Sequence, residues 1–133
     1  MSYTFKKEER LCSKRLIEDL FSEGKSFSHY PFIIYYKNNQ LPDSYPAQVL
    51  VTVSKKKLRK AVDRNLMKRK IREAYRLLKP QLYSTIRKSG SNYSIAIVYI
   101  AHNNTASTNF HNKLGGAIQK LMLKIVQENQ IHP

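Results

Sequence analysis

Apolar residues recur along this chain with two periods, one near 3.6 and one of 2, and the switches between them mark its elements. Leu16, Ile17, Leu20 and Phe21 form a narrow stripe at helical spacing. Ser13 before them suits an N-cap and Gly24 after them suits a stop, so a short first helix is predicted. The mixed run from Lys25 to Pro31 has room for a short edge strand. Phe32 to Tyr36 (FIIYY) is β-branched and aromatic and reads as a strand. Asn38 to Pro46 is rich in turn formers, and Ala47 to Ser54 (AQVLVTVS) reads as a second clear strand. Met67, Ile71, Ala74 and Leu78 then follow at steps of four, three and four, lining one side of a helix. That helix is predicted to begin near Lys60 or Ala61 and to end before Pro80, because proline disfavours helical backbone at the residue before it.

Ser89 to Asn92 reads as a loop, and Tyr93 to Ala101 (YSIAIVYIA) is nearly continuously apolar, the pattern of a central strand covered on both faces. A polar connection from His102 to Asn109 leads to a last helix. Its apolar face is Leu114, Ala117, Ile118, Leu121, Met122 and Ile125, with Lys113, Lys120 and Lys124 outside. Gly115-Gly116 weakens its first turn, and the tail after Gln127 is expected to fray. There are no internal repeats. A strand–helix–strand unit implies parallel flanking strands. The expected fold is an α+β class α/β sandwich: a small mixed four-stranded sheet with three helices, in the order α-β-β-β-α-β-α. At 133 residues one domain is expected, 1–133 with its core at about 6–127.

Charge changes the picture. The formal net charge is +15, and between Lys55 and Arg72 ten residues are Lys or Arg against one acid, Asp63. Residues 1–25 hold five of the nine acids, so the excess positive charge is concentrated. A disordered basic tail would lack the apolar stripe that accompanies these cations. Beside that stripe Arg64, Lys68, Arg72, Arg76 and Lys79 line another face, with Asn65 and Arg69 next to them. Ordinary surface helices mix acids and bases for i,i+4 pairing, whereas this one offers only Asp63 and Glu73. Unpaired like charges destabilise a fold unless a counter-charge is supplied, and a polyanion of fixed geometry supplies it. Nucleic acid is therefore the expected partner.

Phe21, Phe32, Tyr35 and Tyr36 are candidates to line a groove between helix and sheet, where single-stranded bases stack. Strand alternation equally allows half of these rings to be core. Catalytic signals are absent. His29, His102, His111 and His132 lack metal-ligand spacing, and no phosphate loop or nucleophile elbow occurs. The close acid pairs, Glu8-Glu9 and Glu18-Asp19, are adjacent residues that do not face each other. Cys12 is the only cysteine, excluding an internal disulfide, and has no evident activating base. The opening MSYTFKKEERL lacks an apolar signal segment, and no run approaches membrane-spanning length. A cytoplasmic protein without membrane attachment is expected.

Val53-Ser54-Lys55-Lys56, Ala61-Val62-Asp63-Arg64-Asn65, Lys68-Arg69 and Ile71-Arg72-Glu73-Ala74-Tyr75 closely resemble the signature of the bacterial ribonuclease P protein subunit. That signature is a strand ending in a Ser-Lys-Lys turn, then a basic helix with an Arg-Asn-Arg motif and a Lys-Arg pair. The family's other landmarks have counterparts in Arg10-Leu11, Phe21 with Gly24, Phe32 to Tyr35, Tyr93 to Ile100 and Asn109 to Val126. Two positions depart from the pattern. Leu66 stands where the motif has its second Arg, and the turn Lys57-Leu58-Arg59-Lys60 is one residue longer and lacks the usual glycine.

The resemblance implies a cofactor protein that binds a large catalytic RNA and helps it remove the 5′ leader from precursor tRNA. The RNA performs the chemistry with Mg2+, and no dedicated metal site or catalytic residue is expected on the protein. It also implies a left-handed strand–helix–strand crossover, against the general preference. Lys55, Lys56, Lys57, Arg59, Lys60, Arg64, Asn65, Lys68, Arg69 and Arg72 are the implied contacts to the catalytic RNA. Ile17, Phe21, Phe32 and Tyr35 are the implied cleft for the leader, with Ile17 where the family often has an aromatic. The implied partners are the catalytic RNA and precursor tRNA, with no obligate protein partner. A small basic ribosomal protein would share the composition but not the ordered motifs. A helix-turn-helix DNA binder fits less well, because the basic helix follows a strand. A protein-only nuclease fits less well still, because this chain lacks the clustered metal-binding carboxylates it would need.

Overall fold

The computed structural model describes residues 9–39, 46–90, 92–101 and 110–130. Seven elements follow in chain order: α1 (Lys14–Glu23), β1 (Lys25–His29), β2 (Phe32–Asn39), β3 (Ala47–Val53), α2 (Ala61–Ser89), β4 (Asn92–Tyr99) and α3 (Phe110–Gln130). The strands form one sheet in the order β1-β2-β4-β3. β1 and β2 make an antiparallel hairpin across Tyr30-Pro31, whose peptide bond is cis. β2 pairs antiparallel with β4, and β4 pairs parallel with β3, Ala47 opposite Tyr93 and Val53 opposite Tyr99. The expected α+β order and the parallel pair around the basic helix are both present. The predicted connection over His102 to Asn109 lies outside the described residues.

Strand alternation separates two apolar layers. Phe32, Ile34 and Tyr36 of β2, alternate residues of β3, and Tyr93, Ile95, Ile97 and Tyr99 of β4 face α2 and α3. Tyr35, Leu50 and Ala96 face the other way, onto Leu11, Leu16, Ile17 and Leu20 beside and within α1. β4 is thus covered on both sides, as its continuous apolar run predicts. Ser13 Oγ accepts a hydrogen bond from the Leu16 N–H at 3.3 Å and caps α1. Gly24 ends that helix in extended backbone. There a Cβ would run into the Leu20 carbonyl, so the demand is for space and not for left-handed geometry. Among the described residues no helix is long and apolar enough to cross a membrane.

Two helix ends differ from expectation, and β2 runs on to Asn39 where a turn was expected from Asn38. α2 does not stop before Pro80; it runs through it to Ser89 and ends at Gly90, which is left-handed at φ 73°. An interior proline costs about 3 kcal/mol. Beyond it, however, Leu82 and Ile86 are fully buried in the core that α2 shares with the sheet and α3, each contributing about 1.5–3 kcal/mol. Tertiary burial therefore outweighs the local penalty. α3 likewise continues past Gln127 to Gln130.

Candidate nucleic-acid interface

The link from β3 into α2 is a tight basic turn. The Leu58 N–H donates to the Ser54 carbonyl at 2.9 Å, and the Ser54 N–H donates to the Tyr99 carbonyl at 3.3 Å. Leu58 is buried in the core and pins the turn. Around it Lys55, Lys56, Arg59 and Lys60 are exposed and Lys57 is half-buried. Among the described residues no non-glycine has positive φ, so this longer turn needs no glycine. Arg64 locks it from the helix: its Nη1 donates to the carbonyls of Leu58 at 2.9 Å and Arg59 at 2.7 Å. Arg64, expected only as an RNA contact, therefore also holds the turn that presents the lysines.

Farther along α2, the buried stripe of Met67, Ile71, Ala74 and Tyr75 fixes which side faces outward. On that outer side Asn65, Lys68, Arg69, Arg72 and Arg76 line a groove of about 630 Å³, shared with Glu73 and with Arg10 from the segment beside β3. Glu73 is ion-paired with Arg76 one turn on. Four of its five cations, Lys68, Arg69, Arg72 and Arg76, come from the 29-residue helix, and Arg10 comes from outside it. Guanidinium and ammonium groups with one neutral amide are groups that pair with phosphate through charge and forked hydrogen bonds.

Lys79 does not belong to this exposed stripe, although its spacing places it there. It is only 5 % exposed, beside Glu9 at 2 %. Its Nζ lies 2.9 and 2.7 Å from the two Glu9 carboxylate oxygens, and the Tyr83 hydroxyl donates to Glu9 at 2.6 Å. Burial pushes the Tyr75 and Tyr83 hydroxyls well above the ordinary phenol range, with the Glu9 carboxylate adding to it and the Tyr83 hydrogen bond opposing it at Tyr75. This buried cluster anchors the segment that carries Arg10. Arg10 also forms a parallel bridge to Val49, and the next N–H, from Leu11, donates to the Val49 carbonyl at 3.0 Å. The sequence motif contains Arg10 in Arg10-Leu11, but nothing local shows that it meets α2. Only the pairing of Glu9 with a lysine 70 positions away does so.

The residues expected to line the leader cleft divide between the two faces of the sheet. The rings of Phe21 and Tyr35 meet edge to face with centroids 4.7 Å apart. Phe21 is 40 % exposed, and Ile17 packs half-buried in the same layer. Phe32 is a correction: it is fully buried, edge-on to Tyr99 at 5.8 Å, among the core residues facing α2 and α3. An odd step along a strand changes face, so Phe32 and Tyr35 cannot line one cleft. Tyr36 is core for the same reason.

Residues 5–127 match the family model described as Ribonuclease P. The chain is 35 % identical over 100 residues to a ribonuclease P protein component of Porphyromonas gingivalis, covering 75 % of this chain and 73 % of that one. It is 40 % identical over 105 residues to the corresponding component of Chlorobium phaeobacteroides, covering 73 % and 72 %. Among solved structures, a Staphylococcus aureus RNase P protein mutant with defective mRNA degradation activity superposes with a TM-score of 0.60. Its sequence identity is 25 %, and the match covers 91 % of this chain and 90 % of that one.

Proposed function

This chain belongs to the ribonuclease P protein family, and from that premise we propose that it is the protein subunit gripping both the catalytic RNA and its substrate. Membership implies a subunit of a nuclease holoenzyme that matures tRNA 5′ ends. In the finer reading, the turn from Lys55 to Lys60 and the α2 groove hold phosphates of the catalytic RNA. The cleft of Ile17, Phe21 and Tyr35 receives the single-stranded leader of precursor tRNA by stacking and apolar contact. Mg2+ travels with the RNA, which performs the hydrolysis, while the protein contributes positioning and charge neutralisation.

One observation supports this reading above the rest: Asn65, Lys68, Arg69, Arg72 and Arg76 share a groove with Arg10, and among the described residues Glu73 is the only acid lining it. Each phosphate contact releases counterions, so affinity should fall linearly with salt on logarithmic axes. The test is binding of the purified chain to ribonuclease P RNA across a salt series, with leader removal measured in the reconstituted particle. Arg69→Ala with Arg72→Ala should flatten the slope by about two units and slow cleavage at moderate salt. An unchanged slope would remove α2 from the interface. Leader cleavage by the protein without RNA would contradict the division of labour.

A further inference from the structure

The opposite edge of the sheet carries a second cationic surface. On α3, Lys113, Gly116, Lys120 and Lys124 follow at steps of three, four and four, and so lie along one side of the helix. Gly116 is where that side meets β1. A Cβ there would come 2.7 Å from Nε2 of His29, so the missing side chain seats the imidazole against the helix. One turn on, the Phe27 ring lies beneath two ammonium groups, Lys120 Nζ at 5.3 Å and Lys124 Nζ at 5.5 Å from its centroid. Lys120 Nζ also donates to the Ser28 carbonyl at 3.4 Å. Two like charges at i,i+4 oppose each other, and here both are drawn over one ring.

Among the described residues Lys113, Lys120 and Lys124 have no acidic partner. Glu128 is the only acid in the α3 sequence, and β1 has none. Glu128 is paired with Lys25 at 3.3 Å and accepts from the Tyr93 hydroxyl at 3.3 Å. We propose that this β1–α3 strip is a second RNA-binding surface, taking the phosphate backbone of a separate stretch of the partner RNA. The inference rests on the proposed function and extends it to a surface other than the α2 groove.

Its chemistry differs from that of the groove. It offers ammonium groups, an imidazole and a ring, without the arginine forks and asparagine of α2. Lysine acts as a point charge, so this strip positions RNA without reading it. β1 and β3 are the two edges of the sheet, and three strand spacings separate them by about 14 Å. That exceeds the screening length of about 8 Å at physiological salt. The strip and the turn that follows β3 therefore act as independent phosphate sites whose salt dependences add.

The experiment is a salt series with the full chain and ribonuclease P RNA. Lys113→Gln/Lys120→Gln/Lys124→Gln should bind about tenfold more weakly at physiological salt and flatten the slope by about two to three units. It should add to the effect of Arg69→Ala/Arg72→Ala. The corresponding triple Lys→Arg variant should keep the wild-type slope. Because Lys120 and Lys124 cover Phe27, thermal melting accompanies each variant. If the triple variant melts early, Lys113→Gln alone carries the test and should flatten the slope by roughly one unit. Wild-type binding with an unaltered slope in the folded variants would overturn the second surface alone. No binding by the wild-type chain would overturn the functional reading itself.

Discussion

The two halves of α2 treat the same residue type in opposite ways. Before Arg76, Lys68 stands in an open groove with four arginines, counting Arg10, and a single acid. Three turns after Lys68, Lys79 is sealed from water by Glu9 and Tyr83. Both lysines suit the outer side of an amphipathic helix by spacing. The difference is whether the rest of the chain delivers a carboxylate. Where it does, the cation becomes structure; where it does not, the cation is left for an outside anion. A buried pair is weak evidence for net stabilisation, but removing one partner is costly because the other charge stays desolvated.

The largest test of that contrast is Lys79→Met, expected to lower unfolding free energy by about 3–5 kcal/mol in urea titrations. Replacing the cluster together, Glu9→Leu with Lys79→Met and Tyr83→Phe, should recover most of the loss, since matched apolar groups need no counter-charge. Arg69→Ala in the same titration should move stability by no more than about 0.5 kcal/mol. Equal losses at positions 69 and 79 would erase the distinction between the halves.

A smaller effect separates the α2 groove from the aromatic face. Phe21→Ala should weaken binding of precursor tRNA to the reconstituted particle by about 1–3 kcal/mol while leaving mature tRNA binding alone. Parallel losses for both would assign Phe21 to packing against Tyr35 and not to the leader. The smallest effect concerns alkaline pH. Tyr75 and Tyr83 keep their protons in the folded chain above the ordinary value of 10.0. Their contribution is therefore complete below pH 10 and declines above it, as the unfolded chain releases protons the native state retains. The decline approaches about 1.4 kcal/mol per pH unit for each group. Tyr83→Phe should halve that part of the slope, as read by denaturant unfolding between pH 9 and 11.

Much of the fold was legible because its signals are local. Ser13 and Gly24 bracket α1 through hydrogen bonding and space within one turn. Alternation in Phe32 to Tyr36 and Ala47 to Val53 requires only that strands have two faces. That the α2 cations share an exposed groove was legible because too few acids lie within reach along the helix. Which face of β2 is buried was not readable, since alternation separates Phe32 from Tyr35 without saying which of them is inside.

The remaining decisions belong to residues distant in sequence. Pro80 sits within a helix because Leu82 and Ile86 find the core beyond it. Lys79 is buried because Glu9, 70 positions earlier, folds back onto it, and Arg10 reaches the groove on the same segment. Gly116 is needed because His29 occupies the space its side chain would fill. Local periodicity assigns each residue to a face by covalent geometry alone. What that face touches is settled only when the chain closes, because desolvation and charge pairing depend on neighbours that no window of sequence contains.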